Sequence, residues 1–195
     1  MHETRTIVLA SASPRRKELL ELTGLQFKVD PGDHKEDMDL KLSPHELARF
    51  LSLEKAKSVA GKYSNAVIIA ADTFVIIRGQ ILGKPHTEEE AKRMLALLGG
   101  MTHSVITGFT VLDTDTGKKV SRSVETGVTF KKLTEKEIDA YIRTKEPLDK
   151  AGAYALQGLG SILVKRIEGD YFNVVGLPLC PLAECLKGFG IRILE

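Results

Sequence analysis

The chain has 195 residues, 43% of them hydrophobic and 28% charged, the balance of an ordinary globular protein. Its 28 basic and 26 acidic residues leave a net charge of +2, which argues against a nucleic-acid coat or a polybasic membrane anchor. Cys180 and Cys185 are too few for a disulfide scaffold, and five scattered histidines show no metal-ligand spacing for structural zinc. No apolar run approaches the length that spans a bilayer. The opening Met-His-Glu-Thr-Arg lacks the charged-then-apolar plan of a secretion signal, so the expectation is a reduced, cytosolic protein.

Strand and helix patterns alternate along the chain. Thr6–Leu9 reads as a strand. Ser13 is expected to cap a helix over Pro14–Leu22, with proline at its first position and Gly24 beyond its end. Arg15, Arg16 and Lys17 fall in the first turn, where the helix dipole disfavours each cation by about 0.3–1 kcal/mol. Small side chains, unpaired N–H groups and three cations make a receptor for a polyanion such as a phosphate chain. A second strand is expected at Leu25–Val29, then a polar loop over residues 30–42. Ser43-Pro44-His45-Glu46 is a capping box opening a helix that ends near Gly61. Inside it, Glu54 and Lys57 can pair on the surface, or Lys55 can face phosphate with Glu54 orienting it.

Ala66–Ala71 is apolar at every position and predicts a strand buried on both faces. Asp72 is expected at its end, half desolvated, as a general base, a magnesium ligand or a turn aspartate. Phe74–Ile77 reads as another strand, turned by Arg78-Gly79. Pro85 stiffens the chain after Lys84, although no Walker A pattern occurs. Thr87-Glu88-Glu89-Glu90 is a further capping box, with its helix stopping at Gly99-Gly100. Two long strands, near 102–113 and 120–130, flank the Asp-Thr-Asp-Thr-Gly turn. A helix from Thr134 to about Arg143, a strand over Ser161–Ile167 and a helix near Leu179–Lys187 complete the order. Between them, residues 149–158 are rich in glycine and alanine and let backbone approach a ligand closely. The Gln157 amide, with a donor and an acceptor, suits a nucleobase edge or the backbone of its own loop.

The fold class is therefore α/β: a mixed twisted sheet flanked by helices, in one domain over 1–195, with two lobes and a central cleft.

Seven segments taken together resemble the Maf family. They are Ser-x-Ser-Pro-Arg-Arg at 11–16, Glu-Lys-Ala at 54–56, Ala-Asp-Thr at 71–73 and Gly-Lys-Pro at 83–85. Asp-Lys-Ala-Gly-x-Tyr at 149–154, Gln-Gly at 157–158 and Val-Gly-Leu-Pro at 175–178 complete the set. The likeness runs from about residue 5 to 190. It implies a fold similar to that of the inosine triphosphate pyrophosphatases, and hydrolysis of a nucleoside triphosphate to monophosphate and pyrophosphate. It also implies a divalent cation (Mg²⁺ or Mn²⁺) and a homodimer. By resemblance Asp72 is the catalytic aspartate and a metal ligand, and Arg15, Thr73 and Gln157 select the substrate as in the dTTP and UTP branch. Ser13, Arg16, Lys55 and Lys84 match phosphate-side positions. Glu36 is the best match for an acidic metal-site residue in the loop after the second strand, with Asp33 and Asp37 close by.

Two other readings are carried. A non-enzymatic nucleotide-binding regulator of cell division would keep the cations but not need Asp72. A nucleic-acid-binding module is disfavoured by the absence of Trp, 6% aromatic residues and balanced charge.

Overall fold

Thr6–Leu9 forms β1, which pairs in parallel with β2 (Lys28–Val29) on one edge and β3 (Ala66–Ile77) on the other. The register with β3 runs from Thr6 opposite Ala66 to Leu9 opposite Ile69. The computed structural model describes residues 5–33 and 40–194. Its seven-stranded mixed sheet has the order β2-β1-β3-β5-β6-β7, with β4 (Gln80–Leu82) added antiparallel to the end of β3. β5 is Thr102–Asp113, β6 is Lys119–Phe130 and β7 is Val164–Glu168. The helices are α1 (Pro14–Glu21), α2 (Pro44–Ala60), α3 (Glu88–Leu98), α4 (Glu135–Arg143), α5 (Tyr171–Val175) and α6 (Leu179–Lys187). None of the described helices is long and apolar enough to cross a membrane.

Most elements follow the sequence pattern, and the departures have local causes. The Ser43–Glu46 and Thr134–Glu137 capping boxes close in both directions. At Thr87 only half the box forms, because Glu90 turns its carboxylate to the His86 N–H. Ser13 occupies the N-cap of α1, but its hydroxyl makes no capping bond; its N–H donates to Ser11 Oγ instead (3.2 Å). β2 is two residues rather than five, since β1 offers it partners only at Val8 and Leu9. The two strands expected at 66–71 and 74–77 are one, so Asp72 lies within β3 rather than at its end. Arg78 and Gly79, both with positive φ, make the two-residue turn into β4.

The chain divides into two compact units. The first holds β1, α1, β2, α2, β3 as far as Asp72, Thr107–Val124 and the stretch from Gly176. Here Val8, Ala10, Ala66, Ile68 and Ala70 alternate onto the face covered by Ala56 and Val59 of α2. α2 lies close on the sheet because Gly108 has no side chain. A Cβ there would fall on the Ala48 carbonyl and 2.7 Å from the Arg49 nitrogen. A hydroxyl relay, from buried Ser52 and Thr110 to half-buried Ser121 at 2.8 Å each, fixes the helix in register. Across the same unit, Arg5 bonds the Phe189 carbonyl at 3.2 Å and pairs with Asp113 at 2.5 Å. Burial pushes the Asp113 carboxyl up. The Thr116 amide, the Arg5 guanidinium and the Asp115 amide outweigh this and hold it at about 2.

The second unit contains Thr73–Ile106 and Glu125–Val175. α3 and α4 pack Leu95, Leu98, Ile138 and Ile142 against Val75, Val105, Val128 and Phe130 of its strands. In that core His103 stands edge-on to Phe130 and Tyr154 and shares a 2.9 Å hydrogen bond from Nε2 to the Tyr154 hydroxyl. Its Nδ1 meets no partner among the described residues, so protonation would bury a second, unmatched N–H. Burial lowers the His103 pKa to about 4.

The depressed value fixes a sign. The neutral ring stabilises the fold above its unfolded pKa near 6.5, and that stability is lost as pH falls through 6.5 towards 4. We predict a loss on the order of 2–3 kcal/mol over this window, read by urea unfolding at stepped pH. His103→Gln, which can keep a bond to Tyr154, is expected to flatten the slope; an unchanged slope would exclude His103 as its source.

Candidate active site

Docking of α2 decides where Lys55 goes. His45, Arg49, Ser52 and Lys55 recur every three or four residues, which places them along one face of the helix. His45 Nδ1 and Arg49 contact Ser123 Oγ at 3.1 and 3.0 Å, and Ser52 contacts Thr110. One turn on, the Lys55 ammonium donates to Asp72 Oδ1. Both side chains are largely shielded, at 13% and 8% exposure. Glu54 does not orient Lys55: it pairs with Lys57 at 2.7 Å on the surface.

β1 stops pairing with β3 at Ile69, three residues before Asp72. Asp72 thus lies past the carboxyl end of β1, a place where ligands sit in parallel α/β sheets. Lys55 fixes Oδ1, and Oδ2 has no hydrogen-bond partner among the described residues. A carboxylate held by one oxygen can orient water with the other.

The segment after β1 carries the phosphate-side candidates. Arg15 and Arg16 are both half-buried in the first turn of α1. Arg16 is partly structural: Nε donates to the Gly176 carbonyl at 2.9 Å and one terminal nitrogen to Ser11 Oγ at 3.3 Å. It ties the entry of α1 to the Val-Gly-Leu-Pro turn, where Gly176 has φ of 126°. Ser13 is half-buried at the N-cap. Glu36 and Asp37 lie outside the described residues, while Asp33 is exposed. A shallow concavity of about 250 Å³ in the first unit, lined by Lys17, Glu21, Gln26 and Phe27 among others, holds none of the candidates.

Thr73, Lys84 and Gln157 belong to the second unit. Thr73 follows Asp72 directly in β3 and is half-buried. Lys84 and Gln157 are exposed, and neither side chain has a hydrogen-bond partner among the described residues. The structure joins the motifs that carry them: Gly152 N–H donates to the Gly83 carbonyl at 3.0 Å. Gly152 has φ of 68°, and a Cβ there would press on Val75 at 2.8 Å, so glycine is required twice over.

Sequence reasoning missed the residues that hold this segment. Glu146, with Tyr141, gathers the amides that flank Gln157. Lys150, only 15% exposed, pairs with Asp149. The partners of Glu146 lie 13 and 14 residues further on, and no local pattern announces them. Gly108 and the Ser52–Thr110–Ser121 relay were also invisible, since only the docked helix gives them a role.

A family model described as Maf-like protein matches residues 6–189. A "dTTP/UTP pyrophosphatase" of Bacillus cereus (strain AH820) is 50% identical over 189 residues, covering 97% of this chain and 98% of the relative. Its namesake from Methanosarcina barkeri (strain Fusaro / DSM 804) is 50% identical over 192 residues, covering 98% of each. The solved structure of the Staphylococcus aureus Ham1 protein is similar with a TM-score of 0.46 and 14% identity, over 65% of this chain and 72% of that one.

Removing Lys55 leaves the buried Asp72 carboxyl without its partner. Lys55→Met is expected to cost about 3 kcal/mol at neutral pH, and adding Asp72→Asn to recover part of the loss. Thermal unfolding of the two single variants and the double variant checks this. Strict additivity would mean that the two side chains do not interact.

Proposed function

We propose, from the premise that this chain belongs to the Maf family, that it is a nucleoside triphosphate pyrophosphatase acting on dTTP and UTP. Residues 1–195 act as one catalytic domain, releasing the monophosphate and pyrophosphate. The observation that carries the reading is the ion pair from Lys55 of α2 to Asp72 of β3, the residue next in sequence to Thr73. It supports a reaction centre because a carboxylate fixed on one side and open on the other is a poised acceptor for a water proton.

In this reading Arg15, Arg16, Lys55 and Lys84 neutralise the triphosphate. The Ser13 turn brings backbone N–H groups to the same phosphates. Asp72 orients a water through Oδ2 and takes its proton during attack on the α-phosphorus. Lys55 keeps the carboxylate in place, and its positive charge offsets the negative charge that builds on the phosphate oxygens. Thr73 and Gln157 hydrogen-bond the pyrimidine, whose O4 and N3–H match the donor and acceptor of an amide.

A divalent cation fits the donor set. Among the described residues no three acidic, histidine or cysteine side chains cluster. An ion of the magnesium type needs only one or two carboxylates, with water and substrate phosphate supplying the other ligands. Asp72 and Glu36 are the proposed protein ligands, and the ion would supply charge stabilisation to phosphoryl transfer. We further propose a cytoplasmic homodimer that binds neither nucleic acid nor membrane.

Incubation with single nucleoside triphosphates and Mg²⁺ or Mn²⁺ tests the reaction. Equimolar monophosphate and pyrophosphate without orthophosphate is expected, whereas a nucleotide-binding regulator would release none. Uracil and thymine differ by one methyl, worth only about 10–200-fold, so use of dTTP, UTP and modified uridine nucleotides overlaps. A preference for GTP derivatives would overturn the assignment. Asp72→Asn is expected to lower turnover by about 10²–10⁴-fold; near-normal turnover would remove Asp72 from the chemistry.

A further inference from the structure

Residues 155–160 carry Gln157 at the tip of a short turn and are held at both ends by a single pair of side chains. On the near side the Tyr141 hydroxyl accepts from the Ala155 N–H at 3.1 Å. On the far side Glu146 Oε2 accepts from the Leu159 N–H and Oε1 from the Gly160 N–H, both at 3.0 Å. The Tyr141 hydroxyl then donates to Glu146 Oε1 at 2.7 Å, joining the two anchors. Only Leu156, Gln157 and Gly158 lie between them.

The glycines of the turn fit this clamp. A Cβ on Gly158 would fall on the Glu146 carboxylate, and one on Gly160 would come within 2.5 Å of the Tyr141 hydroxyl. Neither glycine has positive φ, so close approach to the clamp, not backbone geometry, selects glycine at both. Burial pushes the Glu146 carboxyl up. The Gly160 amide, the Tyr141 hydroxyl, the Leu159 amide and the nearby Lys150 ammonium outweigh it, keeping the group ionised. An ionised carboxylate accepts all three donors, which an amide of the same shape cannot do.

We infer that Glu146, acting with Tyr141, is a positioning residue for nucleobase selection. Its carboxylate sets the backbone on the far side of Gln157, so the exposed amide is presented to the base in one orientation. The inference rests on the reading that Gln157 contacts the base. Glu146 itself need not touch substrate. An amide held by a rigid turn discriminates bases, because a wrong partner leaves donors and acceptors unmatched; an amide on a loose turn rotates to suit any of them.

The test compares Glu146→Gln, Tyr141→Phe and Gln157→Ala with the unaltered full-length enzyme. Steady-state kinetics are measured on dTTP, UTP, dCTP and dGTP, and amide exchange at Leu159 and Gly160. Glu146→Gln is expected to raise exchange at those amides by about 10-fold or more. It should raise KM for dTTP and UTP by a similar factor, with the loss falling on KM more than on kcat. Preference over dCTP and dGTP should shrink towards that of Gln157→Ala. Tyr141→Phe, which keeps the carboxylate and two of its bonds, should move the same quantities less. It carries the test if Glu146→Gln does not fold. Faster exchange with unchanged preference, where Gln157→Ala abolishes preference, would overturn the positioning role and leave the Gln157 reading intact. Unchanged preference in Gln157→Ala would overturn that underlying reading, and the inference with it. Unchanged exchange in both clamp variants would show that the clamp does not order the turn.

Discussion

The close contact between α2 and β5 at Gly108 sets the geometry on which the first unit depends. A helix normally stands off a sheet by the thickness of two layers of side chains. At Gly108 the sheet contributes no side chain, and the Ala48 carbonyl occupies the space that one would fill. That contact, with the Ser52–Thr110–Ser121 relay, fixes how far along and how deep α2 sits. Lys55 is one turn beyond Ser52 and reaches Asp72 as a consequence. The ion pair follows from packing that is decided elsewhere in the helix.

The same pair explains why β3 runs unbroken. Asp72 is a poor strand residue on propensity, and an unmatched carboxylate at 6% exposure would be costly. With a lysine on one oxygen it can be kept among buried neighbours from Ala66 to Ile77. The fold and the proposed chemistry each make a demand of Lys55. It must be close enough to hold the carboxylate, and in the proposed reaction it must leave the second oxygen for water.

Much of this was legible in the sequence, and the legible part has a common character. Capping boxes at Ser43 and Thr134, the turn at Arg78-Gly79 and the uniformly apolar Ala66–Ala71 are signals carried by neighbouring residues, and all appear as expected. The errors arose where another polar group competes for the same atom. Ser13 gives up its cap while Ser11 receives its amide, and Glu90 takes the His86 N–H. The strand expected from Ser161 begins only at Val164, because a short 3₁₀ turn over Leu159–Leu163, anchored by Glu146, takes its first residues. For the site, ordered motifs named Arg16, Lys55, Asp72 and Gln157, but motif order carries no distances. That Arg16 spends donors on Gly176, and that Lys55 meets Asp72 rather than Glu54, required coordinates.

The claim at the centre of this account is that the Gly108 contact delivers Lys55 to Asp72, and that this pair runs the chemistry. Turnover of dTTP by Gly108→Ala tests it most directly, with circular dichroism to verify the fold. A side chain at that position must push α2 away from the sheet, so the folded variant is predicted to lose at least about 10-fold in kcat. A folded Gly108→Ala protein that turns over dTTP at the unaltered rate would contradict the account.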